Sequence, residues 1–411
     1  MIRFLHAADC HLEYRPELGQ SANLRERIRI GTQEAFKRLI DLAIQEAVDF
    51  IVFPGDLYNS QERSLQILLF LKDQFQRLQD KGIQVYISYG NHDFESSPTQ
   101  VMNWSPNVHI FDTQVETKTF ENIKGERVAI SGFSYPTRWV KESQLSEFPT
   151  KDADVDWHIG LYHGDLASSE VQDKYAPFTI DEMSQKQYDY WALGHIHKRQ
   201  SLSIQPAIYY SGSLQARNRK EVGDKGVYLV TLKADAMPQV DFHSTATFQF
   251  INHTITILKA ESIGELNDQV MQQLEQIGNE HAVNLELILG VAVDADVREV
   301  IRSTPHYEQQ WLPYLISHLH IKEAIEEKQI LLNDALKKHF KDVQHRLNDP
   351  HQQREALEEL MRSPKVREIV GQEILEQPSF WQASYDASVN LLSQWIDDEQ
   401  LAEEDSDDKN D

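Results

Sequence analysis

Five short motifs combine aspartate, asparagine and histidine at spacings that suit metal binding. In chain order they are Asp9-Cys10-His11, Gly55-Asp56, Gly90-Asn91-His92-Asp93, His163-Gly164-Asp165 and Gly194-His195-Ile196-His197. In an extended segment residues i and i+2 point to the same side, so each Asp-x-His or His-x-His pair presents two ligands to one space. One such pair is usually a surface feature. Five of them, each following an apolar stretch, indicate a single shared site.

The donor types predict two divalent ions. Imidazole, carboxylate and amide oxygen suit Mn²⁺, Fe²⁺ or Zn²⁺, and seven donors are too many for one ion. Asp56, alone in its loop after a glycine, is expected to bridge the two ions. A pair of such ions can hold a phosphoryl group for in-line attack, which predicts phosphate-ester hydrolysis. The predicted metal ligands are Asp9, His11, Asp56, Asn91, His163, His195 and His197.

His92 and Asp93 are the predicted catalytic residues. His92 follows Asn91 and is not needed as a ligand, so we expect it to stabilise the transition state or to protonate the leaving oxygen. Asp93 is expected to orient the His92 ring. Two divalent ions bring a charge of +4 and Asp9 and Asp56 return −2, so the site would attract a phosphodiester.

Elements that can carry these motifs are recognisable over the first 235 residues. Short apolar segments bounded by Gly, Asp or Asn predict strands, and two longer amphipathic segments predict helices at 24–47 and 64–81. Strands that alternate with helices indicate an α/β or layered α+β domain. The predicted strands are Ile2–Ala8, Phe50–Phe53, Val85–Tyr89, Val128–Phe133, His158–Tyr162, Tyr190–Leu193, Ile208–Tyr210 and Val227–Leu232.

A second, smaller unit follows a proline-containing stretch at 235–238. A strand at 251–258, a helix at 263–276 and a strand at 285–293 predict a small α/β domain over residues 250–303. From about His306 the pattern suggests polar helices, so residues 304–396 are expected to be a helical segment and 397–411 a disordered acidic tail. In a helical context His318 and His320 diverge, so this pair is expected to be structural.

Composition and charge exclude several classes of protein. The chain has 411 residues, one cysteine and no apolar run near the ~20 residues of a membrane span, so we expect a cytoplasmic protein without disulfides. The net charge of −25 argues against nucleic-acid binding by bulk attraction. However, residues 1–250 carry 26 basic and 33 acidic residues, whereas residues 251–411 carry 14 and 32. The acidity therefore belongs mainly to the C-terminal part.

A basic stretch follows the last motif. Arg217, Arg219 and Lys220 are predicted to contact DNA phosphates, and a solvated hairpin loop is the alternative.

The motifs resemble those of the calcineurin-like metallophosphoesterase superfamily, whose ordered signature is D-x-H, G-D, G-N-H-[DE], H and G-H-x-H. Within it, the residues around Asp9, Asp56 and Ser211 look like the SbcD-type DNA repair exonuclease branch, and the stretch from Gly212 to Gly226 looks closest to the bacterial YhaO group. The resemblance implies two β-sheets flanked by helices over residues 1–240, then a capping domain and a helical segment that docks on an SbcC-type coiled-coil ATPase.

The resemblance also distributes the ligands. One ion would be held by Asp9, His11, Asp56 and His197 and the other by Asp56, Asn91, His163 and His195, with Mn²⁺ as the preferred metal and a homodimer as the assembly. The leading hypothesis is a DNA nuclease subunit. A small-molecule phosphoesterase and a non-catalytic adaptor for DNA ends or the ATPase are the alternatives. Loss of DNA on incubation with Mn²⁺ would separate them.

Overall fold

The computed structural model describes residues 1–13, 22–59, 64–95, 102–167 and 175–324. Five α-helices occur in these ranges: α1 (Ala22–Gln45), α2 (Leu65–Gln79), α3 (Ile180–Gln185), α4 (Ile263–Ile277) and α5 (Ala295–Ser303). The strands of the same ranges are β1 (Ile2–His6), β2 (Phe50–Pro54), β3 (Gln84–Ser88), β4 (Val108–Ile110), β5 (Glu116–Glu121), β6 (Arg127–Gly132), β7 (Trp157–His163), β8 (Tyr190–Gly194), β9 (Gln200–Ser203), β10 (Ala207–Tyr210), β11 (Gly226–Leu232), β12 (Gln239–Ser244), β13 (Phe250–Ala260), β14 (Ala282–Val293) and β15 (Leu315–Glu323).

Twelve of these strands form two six-stranded mixed sheets. The first has the order β12-β11-β1-β2-β3-β4 and the second β5-β6-β7-β8-β10-β9. Strands β1 to β4 are parallel to one another, and so are β6, β7, β8 and β10. Loops that follow parallel neighbours leave from the same edge of a sheet, which is where ligands bind in such folds.

A buried apolar layer between the two sheets holds them together. Phe4 and Phe50 stack with ring centroids 4.8 Å apart, and Tyr190 of the second sheet packs edge-on against Phe4 at 5.3 Å. These side chains are fully buried together with Val52, Ile130 and Ile159. Apolar residues of the predicted strands therefore face one another across a sandwich.

Helices cover the outer faces. Leu39 of α1 and Leu71 and Phe75 of α2 are buried against the first sheet. Helix α2 starts at an N-cap, Ser64, whose hydroxyl accepts the backbone N–H of Ile67 at 3.2 Å. The prediction of two sheets flanked by helices is confirmed, as are all eight predicted strands and both helices to within a few residues.

Four strands of the two sheets were not predicted from the sequence, and all four are edge strands. Strands β12, β4, β5 and β9 close the ends of the two sheets. Along β5 half-buried and exposed residues alternate, without one fully buried side chain. An edge strand is covered less than a central one, so it lacks the continuous apolar run that makes a central strand recognisable.

The smaller unit is a three-stranded sheet, β13-β14-β15, with α4 and α5 beside it. The predicted strand, helix and strand are confirmed as β13, α4 and β14. The helical pattern expected from His306 is wrong over Leu315–Glu323, which forms β15. This unit therefore extends past its predicted end at residue 303.

The strand β15 also changes the interpretation of His318 and His320. Both are exposed, whereas Leu319 and Ile321 pack towards the core of the small unit. This is the two-residue period of a strand, so the two imidazoles share a face instead of diverging.

Residues 325–411, with most of the predicted helical segment and the acidic tail, lie outside the described ranges. None of the described helices is long and apolar enough to cross a bilayer.

Candidate metal centre

The seven predicted ligands lie where strands of both sheets end. Four loops and one strand end supply them, and the structure brings all seven side chains to one place. They follow or end β1 (Asp9 and His11), β2 (Asp56), β3 (Asn91), β7 (His163) and β8 (His195 and His197).

Left-handed backbone conformations turn several of these side chains inward. Asp9, His11, Asp56 and His195 have φ angles of 49°, 44°, 55° and 97°, a region that residues other than glycine seldom adopt. The extended geometry expected for the Asp-x-His and His-x-His pairs is therefore wrong, although their side chains do converge. The backbone N–H of Asp9 donates to Gly55 O at 3.3 Å and that of His11 to Asp56 O at 2.9 Å, which holds these turns.

One group of donors surrounds His11. The carboxylate of Asp9 and the imidazoles of His11 and His197 offer atoms that all lie within 4.8 Å of one another. His11 Nε2 is 3.2 Å from His197 Nε2. Two imidazole nitrogens aimed at one space suit a cation that neutral histidines can bind.

A second group surrounds His163. Donor atoms of Asp9, Asp56 and His163 also lie within 4.8 Å of one another. Asn91 Oδ1 is 2.9 Å from His163 Nε2 and 3.1 Å from His195 Nδ1. This is the second ligand set implied by the resemblance, gathered around a shared amide oxygen.

Two carboxylates link the groups. Asp56 Oδ2 lies 3.5 Å from both His11 Nε2 and His163 Nε2, midway between the two sets. Asp9 has donor atoms in both groups. Asp56 thus lies between the two donor groups, and Asp9 is a second carboxylate that they share.

Glycine is required where the motifs approach most closely. A Cβ on Gly90 would lie 2.5 Å from Asp56 Oδ1 and 2.6 Å from His163 Nε2. A Cβ on Gly55, which has a φ of 92°, would overlap the His163 ring. The Gly-Asp and Gly-Asn-His-Asp motifs therefore carry glycine because the ligands occupy the space of its missing side chain.

Oxygen acceptors outside the predicted set orient three imidazoles. His11 Nδ1 lies 3.0 Å from Asn59 Oδ1, His163 Nδ1 lies 3.0 Å from Pro54 O, and His197 Nδ1 lies 3.1 Å from Glu221 Oε1. A carbonyl oxygen only accepts, so Nδ1 of His11 and of His163 carries the hydrogen and their Nε2 lone pairs face the site. His197 Nδ1 also lies 2.8 Å from Arg217 Nη2, which only donates, so its two neighbours favour opposite tautomers.

His195 is held in the opposite orientation. Its Nε2 lies 3.2 Å from Asp165 Oδ1, so Nδ1 is the nitrogen that faces Asn91. No role was predicted for Asn59, Asp165 or Glu221, although Asp165 stands in the His163-Gly164-Asp165 motif. Asn59 and Glu221 had no comparable signal, because their histidines lie far away in the chain.

The donor set fits divalent metal ions. Asp9 Oδ2 is buried and has no hydrogen-bond partner among the described residues. Burying an unpaired carboxylate oxygen costs free energy unless a nearby cation compensates its charge. Burial raises the pKa of Asp9, and burial with the negative charges of Asp93 and Asp9 raises that of Asp56. Burial also lowers the pKa of His11 and of His163, which keeps both imidazoles neutral. Buried carboxylates and neutral imidazoles are the ligands that a divalent ion needs.

His92 lies beside the ligands, as expected. Its backbone N–H donates to Asp56 Oδ1 at 2.9 Å, and its ring packs edge-on against His11 with centroids 4.9 Å apart. The ring is partly buried. Burial, then the charges of Arg217 and Arg138, lower the pKa of His92 to about 4.

Asp93 takes a different place from the expected one. Its carboxylate accepts backbone N–H groups of Gly90 at 2.6 Å, Leu57 at 2.6 Å and Asp56 at 3.2 Å. Burial raises the pKa of Asp93 to about 7, although these hydrogen bonds act to lower it. Asp93 therefore positions the loops that carry Asp56 and Asn91, which corrects the expectation that it orients the His92 ring.

The three predicted DNA-contacting residues separate into two kinds. Arg217 is buried, with Nη2 2.8 Å from His197 Nδ1, 3.1 Å from His197 Nε2 and 3.3 Å from Glu221 Oε1. It therefore belongs to the site and not to a solvated loop. Arg219 and Lys220 are exposed. Arg219 also lines a cavity of about 490 Å³ with His318 and His320 of β15.

Comparison with known proteins agrees with this geometry. The calcineurin-like phosphoesterase family matches residues 2–199, which include all seven predicted ligands and His92. These residues are similar to a calcineurin-like metallophosphoesterase domain, and the predicted resemblance is confirmed.

Three relatives extend the comparison. Over 236 residues the chain is 47% identical to the uncharacterized metallophosphoesterase YhaO of Bacillus subtilis (strain 168), covering 56% of this chain and 57% of that protein. It is 29% identical over 240 residues to the DNA double-strand break repair protein Mre11 of Methanocaldococcus jannaschii, covering 55% and 62%. It is 22% identical over 359 residues to Mre11 of Sulfolobus acidocaldarius, covering 83% and 91%. The chain thus matches about three fifths of the length of the first two relatives.

Proposed function

We propose that this protein hydrolyses phosphodiester bonds in DNA with two divalent ions, Mn²⁺ in the cell. The observation that carries the proposal is the pair of donor groups that meet at Asp56 and Asp9, with His92 beside them. A DNA substrate is supported by relatives whose name is DNA double-strand break repair protein, one of them aligned over 83% of this chain.

The ligands divide between the two ions. Asp9, His11, Asp56 and His197 would hold one ion, and Asp56, Asn91, His163 and His195 the other. When bound, the two ions neutralise the phosphoryl group and activate water for in-line attack. The protein's own contribution is to fix the donors, through the backbone contacts of Asp93 and the acceptors at Nδ1 of three histidines.

His92 acts on the leaving group in this proposal. Its ring stands against His11, and its backbone is tied to Asp56, so its position is set by the ligands themselves. From there an imidazole N–H can donate to the oxygen that leaves the phosphorus.

Arg217 contributes a positive charge to the same place. Its guanidinium Nη2 lies 2.8 Å from His197 Nδ1 and 3.1 Å from His197 Nε2, the nitrogen that faces His11. A guanidinium beside the donor groups can also donate to an oxygen of a phosphate bound there. Exposed Arg219 and Lys220 extend the positive charge outwards from Arg217.

The partner, assembly and location complete the proposal. We infer that an SbcC-type coiled-coil ATPase binds the helical segment predicted within residues 304–396, that the protein is a homodimer, and that it works in the cytoplasm. Co-purification with the ATPase tests the first inference, and sedimentation equilibrium of the isolated chain tests the second.

The substrate is tested by comparing three incubations with Mn²⁺. Linear duplex DNA, single-stranded DNA and bis(p-nitrophenyl) phosphate are each given to the protein, with and without the ATPase. We expect loss of DNA in addition to hydrolysis of the small ester. Hydrolysis of the ester with intact DNA in every incubation would instead favour a small-molecule phosphoesterase, and no hydrolysis of any substrate would favour an adaptor.

A further inference from the structure

An exposed tryptophan stands at the end of an aromatic stack that begins in the metal centre. Trp139 is 45% exposed, which is unusual for so large an apolar ring. It stacks on Tyr175 with centroids 5.0 Å apart and planes 25° from parallel. Tyr175 in turn lies 4.7 Å from the ring of His195. We call Trp139 and Tyr175 the aromatic platform.

Hydrogen bonds connect the aromatic platform to the metal centre. The carboxylate of Asp165 accepts the backbone N–H of Tyr175 at 3.3 Å, and the same carboxylate lies 3.2 Å from His195 Nε2. The backbone N–H of Asp165 donates to Tyr175 O at 2.8 Å. One residue thus fixes both a predicted ligand and the inner ring of the platform, so their separation is set by the fold.

Positive charge accompanies the platform. The guanidinium of Arg138 lies 5.5 Å from the centre of the Trp139 ring. Arg138 is also among the charges that act on His92. Proteins that bind single-stranded nucleic acid combine positive charge, which attracts the phosphate backbone, with exposed aromatic rings, on which bases stack. Arg138 and Trp139 offer this combination next to the proposed phosphodiester site.

We propose that the aromatic platform binds an unpaired nucleobase of the nucleotide next to the phosphate under attack. The occupant is single-stranded DNA or a frayed duplex end, because a base within an intact duplex has no free face to offer. This rests on the proposed function and adds to it the form of the substrate. Stacking does not depend on which base is present, so the platform would accept any base.

The test measures binding of hydrolysis-resistant DNA to the Mn²⁺-loaded protein. The probes are a fluorescein-labelled phosphorothioate oligothymidylate and an oligomer of the same backbone charge without bases. For Trp139→Ala we expect affinity for the first probe to fall about five- to 150-fold, the loss typical of one base–aromatic stack. Affinity for the abasic probe should stay within about twofold, and Trp139→Phe should keep most of the binding to both.

Controls separate this inference from the proposed function. Ile123→Ala removes another exposed apolar side chain, one that is 98% exposed and lies on the β5–β6 turn, and should change neither affinity. Unchanged Mn²⁺ content and melting temperature show that Trp139→Ala is folded. Equal losses of affinity for both probes, or no loss for either, would overturn the proposal for the aromatic platform. If the unaltered protein still degrades DNA in that case, the proposed nuclease activity stands. An unaltered protein that neither binds nor degrades DNA would overturn both.

Discussion

Glu221 holds the imidazole of His197 by a hydrogen bond in which His197 Nδ1 and Glu221 Oε1 are 3.1 Å apart. Glu221 is only 9% exposed and also accepts the backbone N–H of Arg217 at 3.1 Å. Burial opposes its ionisation, but the hydrogen bond from His197 and the charges of Arg217 and Lys225 lower the pKa of Glu221 to about 2. The carboxylate is therefore ionised at neutral pH and lies against the ring of a predicted ligand.

Glu221→Ala should weaken metal binding without removing a ligand. Loss of the acceptor that orients a metal-binding histidine typically lowers metal affinity about 10- to 100-fold. Titration of the metal-free protein with Mn²⁺ in a calorimeter measures the loss. Glu221→Gln should lose less, because its amide oxygen still accepts from His197, and exposed Glu142→Ala is the matched control. Equal Mn²⁺ affinity in Glu221→Ala and the unaltered protein would contradict the orienting role.

His92→Asn should separate binding from hydrolysis. The variant keeps the backbone N–H that donates to Asp56, so two metal ions per chain should remain. Hydrolysis of bis(p-nitrophenyl) phosphate should slow by at least about a hundredfold, as expected when a positioned acid or base is lost. Elemental analysis and initial rates measure the two quantities. A variant that retains the full rate would show that His92 has no catalytic role.

Asp56→Asn is the complementary variant. An amide cannot bridge two cations as a carboxylate does, and Asp56 lies between both donor groups. We expect metal content to fall below one ion per chain, measured by elemental analysis after gel filtration. Retention of two ions would mean that Asp9, the other shared carboxylate, is the bridge.

Gly90→Ala should damage the site through one methyl group. Its Cβ would lie within 2.6 Å of both Asp56 Oδ1 and His163 Nε2, so these ligands must move apart. Bound Mn²⁺ should decrease strongly. Gly264→Ala in helix α4 is the control, because its Cβ meets nothing closer than 3.9 Å and alanine favours a helix by about 0.5–1 kcal/mol. Normal metal content in Gly90→Ala would contradict the close packing of Asp56 and His163 around Gly90.

His6 should make the stability of the fold depend on pH. Tyr190 Oη lies 3.0 Å from its Nδ1 and Leu193 O 3.1 Å from its Nε2, and burial lowers its pKa from 6.5 to about 3. Between these values the unfolded chain binds a proton at His6 that the folded chain does not. Its contribution to stability is therefore complete above about pH 6.5 and is lost as pH falls towards 3.

His6→Gln removes this titration while keeping a donor and an acceptor. In urea unfolding between pH 4.5 and 6, with EDTA present throughout, the free energy of unfolding of the unaltered protein should rise about 1.4 kcal/mol per pH unit more steeply than that of the variant. Identical slopes would show that His6 is protonated in the folded state.

Much of the central fold and the place where the candidate ligands meet could be predicted from residue types. Buried strands such as β2 and β8 are continuous apolar runs, and any loop that follows a parallel strand must leave from the same sheet edge. Asp, Asn and His at those loops therefore pointed to one site before any coordinates. The edge strands were not recognisable, because their alternating half-exposed residues resemble loops.

Tertiary structure decided what lies around the ligands. Glu221 is 24 residues from His197 in the sequence and Asn59 is 48 residues from His11, so no local motif predicts either contact. Left-handed turns, not extended segments, direct Asp9 and His11 inward, and burial draws Arg217 into the site. The sequence by itself determined which atoms can bind a metal, since that is a property of each side chain. Only the fold determined their directions, tautomers and neighbours, because those depend on residues that are distant in the chain and adjacent in space.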